Sequence, residues 1–189
     1  VYKTKLIAGT KLKNDKVDSL ALAELLRSDF LPTAYRAPEK TRDMREFMRH
    51  RAFLVRLRAR IRGRVHQILW KHGVISPWSD IFGIKGREWL QKLALRSPYK
   101  EEREELTVMW RDISERLALH NRTCEELGAR NLQAGLLMSI PGIGIITSLT
   151  ILAEVGDFSR FPSPDKLACY AGLVSSSYSS GERTRLGHI

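Results

Sequence analysis

The sequence is poor in cysteine and has no long apolar run. Its two cysteines, Cys124 and Cys169, lie far apart without CxxC spacing, which indicates neither a zinc site nor a disulfide framework. No apolar stretch approaches the roughly 18 residues of a membrane-spanning helix, and no signal peptide opens the chain. These absences argue against a disulfide-stapled secreted fold and predict a cytoplasmic protein without a membrane partner.

Acidic side chains are scarce relative to basic ones. The chain has 32 lysines and arginines against 21 aspartates and glutamates, a formal net charge of +11, and its 43% of hydrophobic residues supports a folded protein. Residues 40–72 alone carry eleven basic and two acidic side chains. Arginine dominates this segment, and its planar guanidinium fits phosphate better than a lysine ammonium does. The clustering predicts a nucleic-acid partner, with an acidic protein as the alternative.

The apolar periodicity predicts a mainly helical protein. A first helix is expected from about Asp15 to Arg27, after a short strand in the segment KLIAG. From Thr41 to about His72 the spacing predicts one long amphipathic helix with coiled-coil character, because apolar residues recur every seven positions. These residues are Phe47, Leu54, Ile61 and Ile68.

A second long helix is expected after residue 97. A shorter helix from about Ile84 to Arg96 precedes it, and the following serine and Pro98 supply a cap and a proline in the first helical position. The apolar stripe of the second long helix comprises Leu106, Met109, Ile113, Leu117, Cys124 and Leu127. Two long helices with a short connection should pack as an antiparallel pair.

Residues 136–156, LLMSIPGIGIITSLTILAEVG, have the pattern of a helix-hairpin-helix. Gly142 and Gly144 permit positive φ and close backbone approach, so N–H groups at the start of the following helix can point at a phosphate oxygen. The pattern predicts sequence-independent binding to a nucleic-acid backbone. A glycine turn that only joins two packed helices is the alternative. Another helix, started by a proline, is expected from about Pro164 to Ala171.

Two polar clusters contain candidate reactive groups. In SSSYSSGERTRLGHI, a serine beside Arg183 and Arg185 could attack a phosphodiester while the cations stabilise the developing charge, although serine-rich segments are more often polar linkers. Asp15 and Asp18 would share one helical face and could ligate a divalent metal together with further carboxylates. Acidic residues also favour a helix N-terminus on dipole grounds, so the residues alone leave both interpretations open.

Four segments, in chain order, resemble the DEDD-type insertion-sequence transposases, the family whose members use a bridge RNA to recombine DNA. They are KNDKVDSLALAELLRSDFLPTAY, RHRAFLVRLRARIRGRVHQILWKHG, IPGIGIITSLTILAEVGDFSRFPSPDKLACYAGLV and YSSGERTRLGHI. The resemblance covers nearly the whole chain, and the arginine-rich segment is its least specific part. It implies that residues 1–40 end a RuvC-like, ribonuclease-H-type domain. A basic coiled-coil hairpin would follow over residues 41–131, and a transposase domain with the helix-hairpin-helix over residues 132–189.

The resemblance also implies roles for individual residues. In the family, the last two residues of an Asp, Glu, Asp, Asp signature lie in a D-x-x-D at the head of a helix, which Asp15 and Asp18 match as catalytic ligands of Mg²⁺. The family's catalytic serine corresponds to Ser180, with Ser179 as the near alternative. The residues expected to contact nucleic acid are Arg56, Arg60, Arg64, Gly142, Gly144, Arg183 and Arg185.

The sequence departs from the family pattern at both ends. The first Asp and the Glu of the signature would lie upstream of Val1, and family members continue beyond Ile189. We therefore expect an internal piece that binds nucleic acid but does not cleave DNA alone. In the complete protein the resemblance implies strand cleavage and exchange of an insertion sequence by a homo-oligomer with DNA and a structured guide RNA as partners. The alternatives are a non-catalytic DNA- or RNA-binding module and a metal-dependent Holliday-junction resolvase.

Overall fold

The computed structural model describes residues 14–31, 34–175, 177–180 and 183–187. The protein is mainly helical, as the periodicity predicts. Its helices are α1 (Asp15–Arg27), α2 (Glu39–Lys71), α3 (Ile84–Lys92), α4 (Tyr99–Ala129), α5 (Leu132–Met138), α6 (Ile145–Val155) and α7 (Pro164–Tyr170), and its strands are β1 (Ser177–Ser180) and β2 (Arg183–Leu186). The strand predicted in KLIAG lies outside the described residues. No helix in the described ranges is long and apolar enough to cross a membrane.

The chain divides into two compact units, Val1–Pro38 and Glu39–Ile189. In the first unit, α1 begins at the residue the sequence predicts, because the Asn14 side chain accepts a hydrogen bond from the Lys16 N–H and so caps the helix. No residue of α1 is buried, and Leu20 and Leu26 are each 67% exposed.

In the second unit, α2 and α4 form the predicted antiparallel pair. Met48 Sδ lies 3.9 Å from Cys124 Sγ, and Arg64 forms an ion pair with Glu102, so the start of α2 meets the end of α4. Buried side chains form three clusters along this unit. Each long helix has an apolar stripe on one face, and packing that face against another helix removes it from water. The residues that recur every seven positions are buried or half-buried, as predicted.

The stripe of α4 differs from the prediction at two positions. Met109 is 53% exposed and Leu127 is 37% exposed, whereas the next residues, Trp110 and Gly128, face the packed interior. Successive helical residues are turned by about 100°. Once Trp110 and Gly128 face inward, the preceding residues therefore face solvent. A Cβ on Gly128 would collide with the Ile145 side chain, which would have to shift to make room for it.

Helix ends also differ from the prediction around α3 and α4. The third helix ends at Lys92 rather than near Arg96, because Leu93 adopts extended backbone with ψ 122°. Pro98 is the N-cap of α4 rather than its first helical residue, and the helix begins at Tyr99. Proline still suits this end because a helix N-terminus leaves its first N–H groups without intrahelical acceptors.

Helices α5 and α6 lie on the α2–α4 pair. Buried residues from all four helices form one cluster: Met48, Cys124, Ala134, Leu149 and Ala153. Residues on both sides of position 131 therefore belong to one compact unit, while their division into family domains stays a prediction. After α7, which starts at Pro164 as predicted, β1 and β2 form an antiparallel hairpin where the sequence favoured a polar linker.

Candidate metal ligands and nucleic-acid surface

Asp15 and Asp18 lie in the first turns of α1. Asp15 is exposed and Asp18 half-buried. Because they are three positions apart, their Cα atoms are separated by about 4.5 Å along the helix axis and lie on neighbouring sides of it. The Asn14 side chain already caps the helix, so neither aspartate is needed as the N-cap.

The chemistry of this donor set fits a hard divalent cation. Carboxylate oxygens are the protein ligands that Mg²⁺ prefers, and Mg²⁺ commonly uses only one or two carboxylates. No group of three or more His, Cys, Asp or Glu side chains suited to a metal occurs in the described part of the chain. Asp15 and Asp18 would therefore supply part of a coordination sphere.

Two arginines at the start of α2 hold α6. Arg45 donates from Nε to the Ala153 carbonyl and from Nη2 to the Glu154 carbonyl, both at 3.1 Å. Arg49 donates from Nε and Nη2 to the two carboxylate oxygens of Glu154, each at 2.8 Å. This geometry lowers the pKa of Glu154, chiefly through the hydrogen bond from Arg49. These cations serve internal packing rather than an external phosphate.

Arginines in the second half of α2 are also engaged. Arg62 lies 3.0 Å from the Asp80 carboxylate, and Arg64 pairs with Glu102. The sequence predicted Arg64 as a nucleic-acid contact, but Glu102 neutralises it in this structure. A phosphate would therefore have to compete with Glu102, which makes Arg64 the least available of the three predicted arginines on α2.

Arg56 and Arg60 remain available in the middle of α2. Both are exposed, and neither forms an ion pair within the described residues. They lie four residues apart, so they share a face and are separated by about 6 Å along the helix axis. Arg56 and Arg60 thus present two adjacent guanidinium groups on an exposed part of α2.

The glycine turn joins α5 to α6, as the sequence predicts. Gly142 has φ 91°, which explains glycine there, whereas Gly144 has φ −91° and is the N-cap of α6. No side chain caps this helix, and its first turn has no acidic residue. Gly142 and Gly144 are both exposed, and the first N–H groups of α6 have no intrahelical acceptor. The arrangement is compatible with phosphate binding and with a simple packing turn.

The hairpin carries the predicted serine and its basic neighbours. Its register pairs Ser180 with Arg183 and Tyr178 with Arg185, and Ser179 faces Thr184 across the same ladder. The backbone therefore places a candidate serine beside an arginine. The side chains of Ser180, Arg183 and Arg185 lie outside what the structure describes, so their roles stay predictions.

The sequence pattern did not predict the exposed aromatic residue Phe53 on α2. Phe53 is 51% exposed on α2, and its ring stacks near the ring of His50 with centroids 6.2 Å apart and planes 27° apart. The signal was present in the spacing, since Phe53 falls outside the seven-residue apolar repeat and lies three residues before Arg56.

Comparison with known protein families matches both ends of the chain. A profile for DEDD transposases of the IS110 group matches residues 3–73, and a profile described as the transposase IS116/IS110/IS902 family matches residues 134–189. The first range contains Asp15, Asp18 and the whole of α2. The second contains the glycine turn and the hairpin. No solved structure matches.

Curated relatives align with most of the chain. A candidate transposase of Sinorhizobium fredii is 29% identical over 94% of this chain and 43% of its own length. The transposase for the insertion sequence element IS1111A of Coxiella burnetii is 24% identical over 90% of this chain and 48% of its own length. A pilin gene-inverting protein of Moraxella lacunata is 47% identical over 27% of this chain and 16% of its own length.

Both profiles, and the two relatives that align with most of the chain, are described as transposases. The chain spans about half the length of the curated relatives that it matches over most of its residues. The DEDD profile matches the range with the aspartate pair, and the second profile matches the later range with the glycine turn. Residues 3–73 and 134–189 are therefore similar to the IS110/IS116 family of transposases.

Proposed function

We propose that this chain is the part of a DNA transposase that supplies two acidic ligands, a nucleophilic serine and nucleic-acid contacts. The observation that carries the proposal is the position of Asp15 and Asp18, which lie one turn apart in the first turns of α1, inside the range matched by the DEDD transposase profile. In this proposal, unit Val1–Pro38 ends a RuvC-like domain, and the α2–α4 pair is a coiled-coil hairpin.

The proposed reaction is the transfer of a DNA phosphate to serine. The Ser180 hydroxyl forms a bond to phosphorus, the bond from phosphorus to the departing DNA oxygen breaks, the hydroxyl proton passes to a base, and the departing oxygen takes up a proton. Arg183 and Arg185, in the strand that pairs with Ser180, stabilise the charge that develops on the phosphate. Asp15 and Asp18 would hold Mg²⁺, which would supply further charge neutralisation.

Substitutions in the protein encoded by the complete reading frame test this reaction. Asp15→Asn, Asp18→Asn and Ser180→Ala should each abolish cleavage of DNA that carries the element ends, while DNA binding persists. Asp29→Asn is the matched control, because Asp29 is an exposed carboxylate just after α1 whose left-handed φ of 55° asparagine tolerates. Ser179→Ala separates the two candidate serines, and denaturing gels would detect a covalent serine–DNA product.

The outcomes separate the proposal from its alternatives. Unchanged cleavage in both aspartate variants and in both serine variants would refute the proposed site. Cleavage that needs the aspartates but neither serine would indicate metal-dependent resolvase chemistry. A complete protein that binds DNA without any cleavage would be a binding module, for which the exposed Arg56 and Arg60 would then be the main functional groups.

We further propose that the 189 residues alone bind nucleic acid without cleaving DNA, because they hold two of the four acidic residues in the family signature. A structured RNA is the proposed second partner, and a homo-oligomer is the proposed assembly. Ribonuclease treatment of the complete protein should reduce cleavage at the specific site, and sedimentation should give a mass above that of one chain. Full activity after treatment would exclude a guide RNA, and a monomeric mass would exclude the oligomer.

A further inference from the structure

The rings of Phe53 and His50 lie next to each other at exposed positions of α2, and we call this pair the aromatic step. Their ring centroids are 6.2 Å apart with planes at 27°, and both residues are exposed, Phe53 by 51%. Most large apolar side chains that stay half-exposed on a monomer need no explanation. Phe53 differs because two exposed arginines come after it on the same helix.

The helix places this step in line with the two available cations. Phe53, Arg56 and Arg60 are separated by three and four residues, so they lie on one face within about 10 Å along the axis. Both arginines are exposed and form no ion pair within the described residues. The surface thus presents a flat ring followed by two guanidinium groups.

We propose that this surface binds an unpaired nucleic-acid strand, with one base stacked on Phe53 and the following phosphates on Arg56 and Arg60. The inference rests on the proposed function as a nucleic-acid-binding protein, and it adds that the bound strand is unpaired. A duplex hides its base faces within the stack, whereas an unpaired strand offers them to a protein ring. The charge of the surface is complementary to phosphate, and its ring is complementary to a base.

The surface fits an acidic peptide less well. Such a partner would pair with the two arginines, but it would gain little from an aromatic face, since carboxylates have no π surface to stack. A ring beside adjacent guanidinium groups is instead the combination found in proteins that bind single strands without sequence preference. Binding should therefore depend on the shape of residue 53 as well as on charge.

The test measures binding of the chain to fluorescent dT20, rU20 and a 20-base-pair DNA duplex. Phe53→Leu keeps an apolar side chain but removes the ring, and should weaken single-strand binding by at least about fivefold. It should change duplex affinity less than twofold. Phe53→Trp should restore or exceed the original single-strand affinity. Leu119→Ala is the control, because Leu119 is an apolar residue of α4 that is 61% exposed and has no ring.

The outcomes keep this inference separate from the proposed function. If Phe53→Leu weakens binding to dT20 or rU20 but not to the duplex, the result supports the stacking site. The single strand whose binding is weakened more shows whether the ligand is DNA or RNA. Equal losses on single strands and duplex, or none, would overturn it. If Arg56→Gln and Arg60→Gln still weaken binding while Phe53→Leu does not, the surface is electrostatic and only the stacking inference fails. Binding to polyglutamate with the same Phe53 dependence would also overturn it.

Discussion

Arg49 and Glu154 form a bidentate ion pair between α2 and α6, with both nitrogen-to-oxygen distances at 2.8 Å. The partners are 105 residues apart in the chain. Arg45, one turn earlier, holds the backbone carbonyls at the same end of α6. The pair therefore ties the segment with the glycine turn to the basic helix.

This pair predicts a specific dependence of stability on acid. The folded state lowers the pKa of Glu154 from its ordinary value of 4.5, mainly through the Arg49 hydrogen bond. A lowered carboxyl pKa contributes stability that is fully present above pH 4.5 and is lost as pH falls through the lower folded value. Thermal unfolding should show that the Tm difference between wild type and Glu154→Gln shrinks below this pH. A constant difference down to pH 2.5 would contradict the coupling.

A second dependence on pH should arise from His120. Burial lowers its pKa from 6.5, with smaller effects from His50 and Arg51, so the folded state disfavours the charged ring. The unfolded chain then binds more protons, and stability falls as pH drops from 6.5 through the lower folded pKa. His120→Phe should flatten the Tm profile between pH 7 and 5. His66→Gln, at an exposed histidine of α2, should leave that slope unchanged, and an equal effect of both variants would refute the assignment.

The packing of Gly128 makes a paired prediction. A methyl group at this position would collide with Ile145, so Gly128→Ala should cost about 1–3 kcal/mol in the free energy of unfolding, measured by urea titration. Gly63 lies in α2 with open space around its Cβ position, and Gly63→Ala should stabilise by about 0.5–1 kcal/mol. Ile145→Val should recover part of the loss in Gly128→Ala. The same sign for both glycine substitutions would contradict the close contact between α4 and α6.

The partner assignments of the arginines predict how binding responds to salt. Arg56→Gln with Arg60→Gln should reduce the slope of log K against log salt by about 0.7 per removed phosphate contact on a single strand. Arg64→Gln should reduce it less, because Glu102 already pairs with Arg64. Arg122→Gln, an exposed arginine of α4 without an ion pair in the described region, is the control. Equal slopes for all variants would place the nucleic acid elsewhere.

Local sequence patterns were sufficient to predict most helices. The repeat of Phe47, Leu54, Ile61 and Ile68 located α2, and the helical spacing of apolar residues located α1, because both patterns depend on neighbours within a few turns. Arg64 was predicted as available because its partner Glu102 lies on another helix. The exposure of Met109 was missed for a similar reason, since the rotation of α4 depends on Trp110 packing against α2. The serine-rich segment before Arg183 has no alternation of apolar and polar residues, so its sequence did not predict the hairpin.

Because Arg45 donates hydrogen bonds to the last carbonyls of α6, a charged side chain compensates the helix dipole at its C-terminal end but not at its N-terminal end. Arg45 offsets the partial negative charge at one end, while no acidic residue offsets the partial positive charge in its first turn. The unbalanced end begins directly after Gly144, at an exposed position. An anion approaching the molecule there would meet an attraction that the backbone alone provides, and neutralising every surface lysine and arginine would not remove it.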